Sequence, residues 1–190
     1  DDRALVLDDA RIRSAGGLLR AFGTDFLQSS EDAAHFGYYR PLVTASFAAD
    51  LALWRTWAGG FHLTNLLLHL GCCLGVLALG ARLGLGALAS ASAALIFAVH
   101  PLHVESVAWI SGRTDLMATL LSMGFLLLWD HPRGLARAVG VACLTGALLS
   151  KELALVVPAI AWLLPFADGR SRRWRRLVPA GVVVFVYALV

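Results

Sequence analysis

Phe61-His-Leu-Thr-Asn-Leu-Leu-Leu-His-Leu-Gly-Cys-Cys-Leu-Gly-Val-Leu-Ala-Leu-Gly-Ala81 runs for 21 residues without an Asp, Glu, Lys or Arg. A helix of that length rises about 30 Å, the thickness of a bilayer's hydrocarbon core, so the run predicts a transmembrane span. Further apolar runs occupy 87–100, 116–129, 135–150, 153–166 and 177–190, joined by short polar links. They are shorter than the usual ~20 residues, which helices enclosed by other helices tolerate. Composition agrees: 58% of the 190 residues are hydrophobic and 15% charged, against a soluble norm of about 45–50% apolar and 25% charged. The expected fold is all-α, a polytopic transmembrane helix bundle over residues 61–190. Residues 1–60 differ, because Gly16-Gly17, Ser29-Ser30-Glu31-Asp32 and Gly59-Gly60 punctuate short amphipathic stretches such as Leu42 to Trp57. They read as a long extracytoplasmic first loop whose amphipathic helices lie on the membrane surface or pack as a re-entrant segment. The chain opens at Asp1 and closes inside the apolar run Gly181 to Val190, so it is expected to be a fragment, with targeting supplied by the spans or by an upstream segment.

Orientation follows from the arginines, since short loops rich in Lys and Arg stay cytoplasmic. Arg82, Arg133, Arg137, Arg170, Arg172, Arg173, Arg175 and Arg176 fall in or beside alternate loops, against Asp130 and Asp168. That side is cytoplasmic, and residues 1–60, the link His103 to Arg113 and the turn Ser150-Lys151-Glu152 face the other way. The parity requires 135–166 to turn as a hairpin, because one long helix there would export the five-arginine cluster. The net charge of +3 thus reports orientation in a lipid bilayer, and no nucleic-acid partner is expected. Lys151 is the sole lysine among 16 basic residues; this bias towards Arg, with heavy Ala, Leu and Gly usage, suggests a GC-rich genome and a bacterial inner membrane. Cys72, Cys73 and Cys143 sit in apolar runs without zinc-ligand spacing and read as small core hydrophobes.

Ionisable residues at membrane depth are costly and face a protein interior or a water-filled cavity. His62, Asn65 and His69 fall at i, i+3 and i+7 of the first full span, on one stripe pointing away from lipid. His100, His103 and Glu105 straddle Pro101, which breaks the helix there. Arg113 and Asp115 open the next span, and Lys151-Glu152 tip the hairpin. Ion pairing within Arg113/Asp115 and within Lys151/Glu152 is the bland reading of those groups. The spacing His100-x-x-His103-x-Glu105 lacks the helical His-Glu-x-x-His pattern, and no metal or other cofactor is expected. No phosphate-binding loop, nucleophile elbow or dinucleotide fingerprint occurs.

Seven segments in order carry a resemblance: Asp1 to Arg13, Gly23-Thr-Asp-Phe26, Tyr39-Arg40-Pro41-Leu42, Phe61 to His69, Ala98 to Ala108, Ser111-Gly-Arg-Thr-Asp115 and Ser150-Lys-Glu152. Together they resemble the membrane half of the transmembrane and tetratricopeptide-repeat O-mannosyltransferases and their bacterial relatives, which are similar to the type C glycosyltransferases. The resemblance implies a span before Asp1, a repeat domain beyond Val190, and transfer of a sugar from a polyprenyl-phosphate donor to an acceptor protein or other hydroxyl outside the cytoplasm. The family's acidic pair in the first external loop corresponds to Asp1-Asp2, with Asp8-Asp9 as the competing pair.

Inverting transfer from a lipid phosphate to a hydroxyl needs a base for the acceptor proton, cations for the departing phosphate, and a lipid-facing groove. Asp2, or Asp1 beside it, is the candidate base. Arg40, Arg113 and Lys151 are candidates for the phosphate, with His100 or His103 donating hydrogen bonds. Glu105, Asp115 and Glu152 would orient the cations or bind sugar hydroxyls. On this reading Arg113→Ala weakens donor use more than folding. The alternatives are a transporter, which would show paired repeats of interrupted helices, and a non-enzymatic membrane module.

Overall fold

A computed structural model of the chain describes Val6 and residues 9–13, 15–23, 39–164 and 170–189. All of its regular structure is helical. After a 3₁₀ turn at Ala10–Arg13 come α1 (Ala15–Ala21), α2 (Pro41–Trp54), α3 (Ala58–Arg82), α4 (Ala87–Val99) and α5 (His103–Ala108). They are followed by α6 (Arg113–Leu128), α7 (Gly134–Leu148), a second 3₁₀ turn (Glu152–Val156) running into α8 (Val157–Leu163), and α9 (Arg170–Tyr187). The all-α expectation therefore holds. Among the described helices, α3 alone is both long and apolar enough to cross a membrane by itself; α2, α4, α7 and the Glu152–Leu163 unit are apolar but shorter.

Local chemistry sets the breaks. Gly84, at φ +79, turns the chain between α3 and α4 in a conformation that a side chain resists. Pro101 ends α4, since it has no N–H to continue the ladder. At the far end of α7 the Ser150 hydroxyl donates back to the Gly146 carbonyl at 2.8 Å, and Lys151 then adopts an extended conformation. The helical run is thus interrupted at Lys151: α7 and the Glu152–Leu163 unit are separate elements.

Small residues let the helices approach closely. A Cβ on Gly75 of α3 would lie 2.9 Å from Cβ of Met123 on α6, and one on Gly71 would lie 3.1 Å from Leu120. Gly124 of α6 meets the Cys143 sulfur of α7 in the same way. Cys72 and Cys73 are buried, as small apolar residues would be. The larger core joins Phe125, Leu126 and Trp129 to Leu144, Leu148 and Val157, whereas a second core under the first loop joins Val6 and Ile12 to Val43, Phe47 and Phe61. Outward, Leu66, Leu67, Leu70 and Leu74 leave more than half of their surface uncovered along α3.

Helix α2, which covers most of the stretch Leu42 to Trp57, is packed against its neighbours. It buries Pro41, Val43, Thr44, Phe47 and Asp50, and its first turn is tied to α7 by the Leu42 N–H donating to the Leu149 carbonyl at 3.3 Å. One end of the bundle gathers Arg82, ion-paired to Asp130, with Arg176 donating to the Asp130 carbonyl at 2.7 Å. The other end holds Arg40, Arg113 and Lys151.

Candidate active site

Four of the candidate residues come together where α2, α6 and the hairpin tip meet. Arg40 precedes α2 and donates through Nη2 to both oxygens of Glu152, at 3.1 and 3.3 Å. Lys151 reaches Asp115, in the first turn of α6, at 2.5 Å. Lys151 therefore pairs with Asp115 rather than with its neighbour Glu152, because its extended backbone turns consecutive side chains to opposite sides. Partial burial would by itself raise the Glu152 pKa, but a backbone hydrogen bond and the charges of Arg40 and Lys151 outweigh it and hold the carboxyl below its ordinary value. A depressed carboxylate adds stability that is complete above the unfolded-state pKa and disappears as pH falls through the folded-state value. Thermal unfolding of the wild type should therefore lose this increment on acidification below the ordinary glutamate range, while Glu152→Gln shows a flatter acid limb. Parallel acid limbs would place the ion pair outside the stability balance.

Arg113 lies deeper. Its Nε donates to Asn65 Oδ1 at 2.9 Å, its Nη2 to Asp50 Oδ2 at 2.5 Å and to the Phe61 carbonyl at 3.2 Å, and its Nη1 approaches Ser46. Phe47 stacks against the guanidinium at 4.8 Å. Neither side of the pair is open to solvent: the Arg113 side chain is 0% exposed and that of Asp50 is 4%. The Arg113/Asp115 pair of the bland reading does not form, since Asp50 takes the arginine inward and Lys151 takes Asp115. With its donors engaged inside the protein, Arg113 ties α2, α3 and α6 together and positions Asp115 two residues on. Asp50 was absent from the sequence candidates, although Val43, Phe47 and Asp50 fall at i, i+4 and i+7 on the buried stripe of α2. An acid on such a stripe requires a cation.

The histidine-proline corner forms a second cluster. Because Pro101 has no N–H, the Phe97 carbonyl lacks its helical partner and faces His103 Nδ1 at 2.8 Å; the Ala98 carbonyl faces His69 Nε2 at 3.1 Å. A carbonyl can only accept, so those ring nitrogens carry the protons. His100 Nδ1 accepts from the Leu102 N–H at 3.2 Å, which leaves its Nε2 to donate. His69, His100 and His103 line a cavity of about 360 Å³ whose remaining wall is apolar, including Leu66, Val99 and Val104. His69 Nδ1 is buried within it without a hydrogen-bond partner. Asn65 and His69 are buried as the stripe predicts, but His62 is exposed. Glu105 is also exposed, with no ion pair among the described residues.

Asp1, Asp2 and Asp8 lie outside the described residues. Asp9 is buried, and its carboxylate accepts from Arg11 Nε at 2.9 Å and Nη2 at 2.8 Å. Among the described residues no group of three or more His, Cys, Asp or Glu side chains is arranged to hold a metal ion.

The chain is 32% identical to a protein O-mannosyl-transferase of Caenorhabditis elegans over 91% of its own length and 26% of the relative's. It is 31% identical to one of Drosophila melanogaster over 90% of its length and 20% of the relative's. A human protein O-mannosyl-transferase is 30% identical over 70% of the chain and 15% of the relative. These relatives are of the family that the sequence motifs resemble, and the chain spans about a quarter of their length or less. No protein-family model and no solved structure matches it.

Proposed function

The chain belongs with the protein O-mannosyl-transferases to which it aligns, and on that premise we propose that the complete protein is a membrane glycosyltransferase. It moves a mannose-like sugar from a polyprenyl-phosphate donor to a Ser or Thr hydroxyl of an acceptor protein. The polytopic bundle sits in a bacterial inner membrane with its arginine-rich end in the cytoplasm, so that the end bearing Arg40 and Lys151 opens to the periplasmic side. An upstream span and a downstream repeat domain complete it.

The acceptor oxygen attacks C1 of the sugar from the face opposite the phosphate, the C1–O bond to phosphate breaks, and the anomeric configuration inverts. Asp2, with Asp1 as its alternate, takes the hydroxyl proton. The polyprenyl phosphate departs with the bonding electrons, and Lys151 and Arg40 hold its charge. The observation that supports this assignment is the pairing of both cations with carboxylates at one end of the bundle, Lys151 with Asp115 and Arg40 with Glu152. A phosphate competes for the same N–H groups, and Lys151 uses one of its three donors on Asp115. His100 and His103 border the lipid-facing cavity beside α3, where His100 Nε2 offers a further donor.

Membrane vesicles containing the full-length protein, supplied with radiolabelled polyprenyl-phosphate mannose and an acceptor peptide, test the role of the lysine. Lys151→Met should lower turnover by roughly 10²–10³, the cost of removing one donor to a developing anion. Lys151→Arg should retain more activity than Lys151→Met. A wild-type rate in Lys151→Met would remove the lysine from the site.

A further inference from the structure

At the end of the bundle opposite Lys151, helices α7 and α9 enclose a cavity of about 660 Å³, which the transfer reaction does not use. Arg137, Arg175 and Arg176 line it, together with Gly134, Ala138, Val141 and Pro179. None of these residues is acidic. Among the described residues, Asp130 of the turn before α7 pairs with Arg82 on α3.

The arginines are steered by backbone. Arg137 Nη1 donates to the His131 and Pro132 carbonyls at 3.2 and 3.3 Å, and Arg176 Nη1 donates to the Asp130 carbonyl. Arg175 lies against the Trp174 ring at 5.4 Å, an aromatic suited to the headgroup level of a bilayer. Gly134 starts α7, whose N-terminus has no side-chain cap, so its positive dipole end adds to the three guanidinium charges.

The cavity changes character with depth. Both helices enter from this end, and Val141 and Pro179 each lie four residues, about 6 Å, further along than Arg137 and Arg175. A ligand seated here meets cations first and apolar walls one helical turn below. A soluble anion satisfies only the first of these; an anionic phospholipid satisfies both, with its phosphodiester among the arginines and its glycerol and first acyl methylenes against Ala138, Val141 and Pro179. Basic pockets between spans at the cytoplasmic surface suit such headgroups.

We propose that the groove between α7 and α9 is a binding site for one anionic phospholipid of the cytoplasmic leaflet, gripped by Arg137, Arg175 and Arg176. The inference rests on the orientation of the bundle and not on sugar transfer, so failure of the transferase reading would leave it standing.

The test uses the full-length protein, delipidated in a neutral detergent, with binding read by native mass spectrometry and by thermal shift. Titration with phosphatidylglycerol should raise the unfolding temperature and give a retained one-to-one adduct, whereas phosphatidylcholine and inorganic phosphate should do neither. Arg137→Gln with Arg175→Gln should weaken phosphatidylglycerol binding roughly thirtyfold, about fivefold for each arginine removed. Arg133→Gln, an exposed neighbour that does not line the cavity, should leave binding unchanged. Equal binding of phosphatidylcholine would overturn the proposal, as would an equal shift with phosphate alone. So would an equal loss in Arg133→Gln, which would mark diffuse surface attraction. The wild-type comparison of the three ligands decides the matter even if the double variant does not fold.

Discussion

Asp2→Asn in the full-length protein is expected to abolish sugar transfer while membrane insertion and expression stay at wild-type levels. A positioned carboxylate that removes the acceptor proton contributes about 10²–10⁴ in rate, and the amide keeps its shape without its basicity. Asp1→Asn, assayed beside it, separates the two members of the pair: the base is the one whose loss removes turnover at saturating donor. Because Asp9 is held by the Arg11 side chain through Nε and Nη2, Asp9→Asn should damage folding of the first loop before it touches chemistry. Wild-type turnover in Asp2→Asn and in Asp1→Asn alike would refute the assignment of the base to this pair.

The second large effect concerns stability. Asp50→Ala leaves the Arg113 guanidinium buried without its counter-ion, and breaking such a pair costs about 3–5 kcal/mol. Thermal unfolding of the detergent-solubilised protein should fall accordingly, with Arg113→Ala nearly as severe. An effect on folding is expected beside any effect on donor use, because the arginine's Nε and Nη2 bind Asn65, Asp50 and Phe61. The double replacement Asp50→Leu with Arg113→Met should recover part of the loss, since apolar side chains of similar volume do not leave a lone charge. If Asp50→Ala unfolds within about 1 kcal/mol of wild type, the network does not hold the three helices together.

The helical path of the chain was readable from its apolar runs. The 61–81 run lies inside α3, and the break that the arginine distribution calls for within 135–166 falls at Lys151. Pairing was less readable. Arg113 and Asp115, and Lys151 and Glu152, are neighbours in sequence, yet each cation finds a carboxylate from elsewhere or from the other pair. Such choices depend on the approach of α2 to α6, which the glycine-permitted packing of α3 and α7 around α6 decides. Asp50 belongs to no motif of the sequence, and only its place on the buried stripe of α2 marks it. Spacing alone puts His62 on the buried stripe, although one turn of helix separates an enclosed Asn65 from an exposed position above it.

The reach of the Arg40–Glu152 bond, 112 residues along the chain, has a consequence for biogenesis. At about 5–20 residues per second of synthesis, Arg40 is added to the chain roughly 6–22 s before its carboxylate exists. During that interval the first loop must be kept competent by water, lipid headgroups or a chaperone. Nascent chains arrested before the hairpin has been inserted should therefore remain protease-sensitive around residue 40, and those arrested beyond it should not.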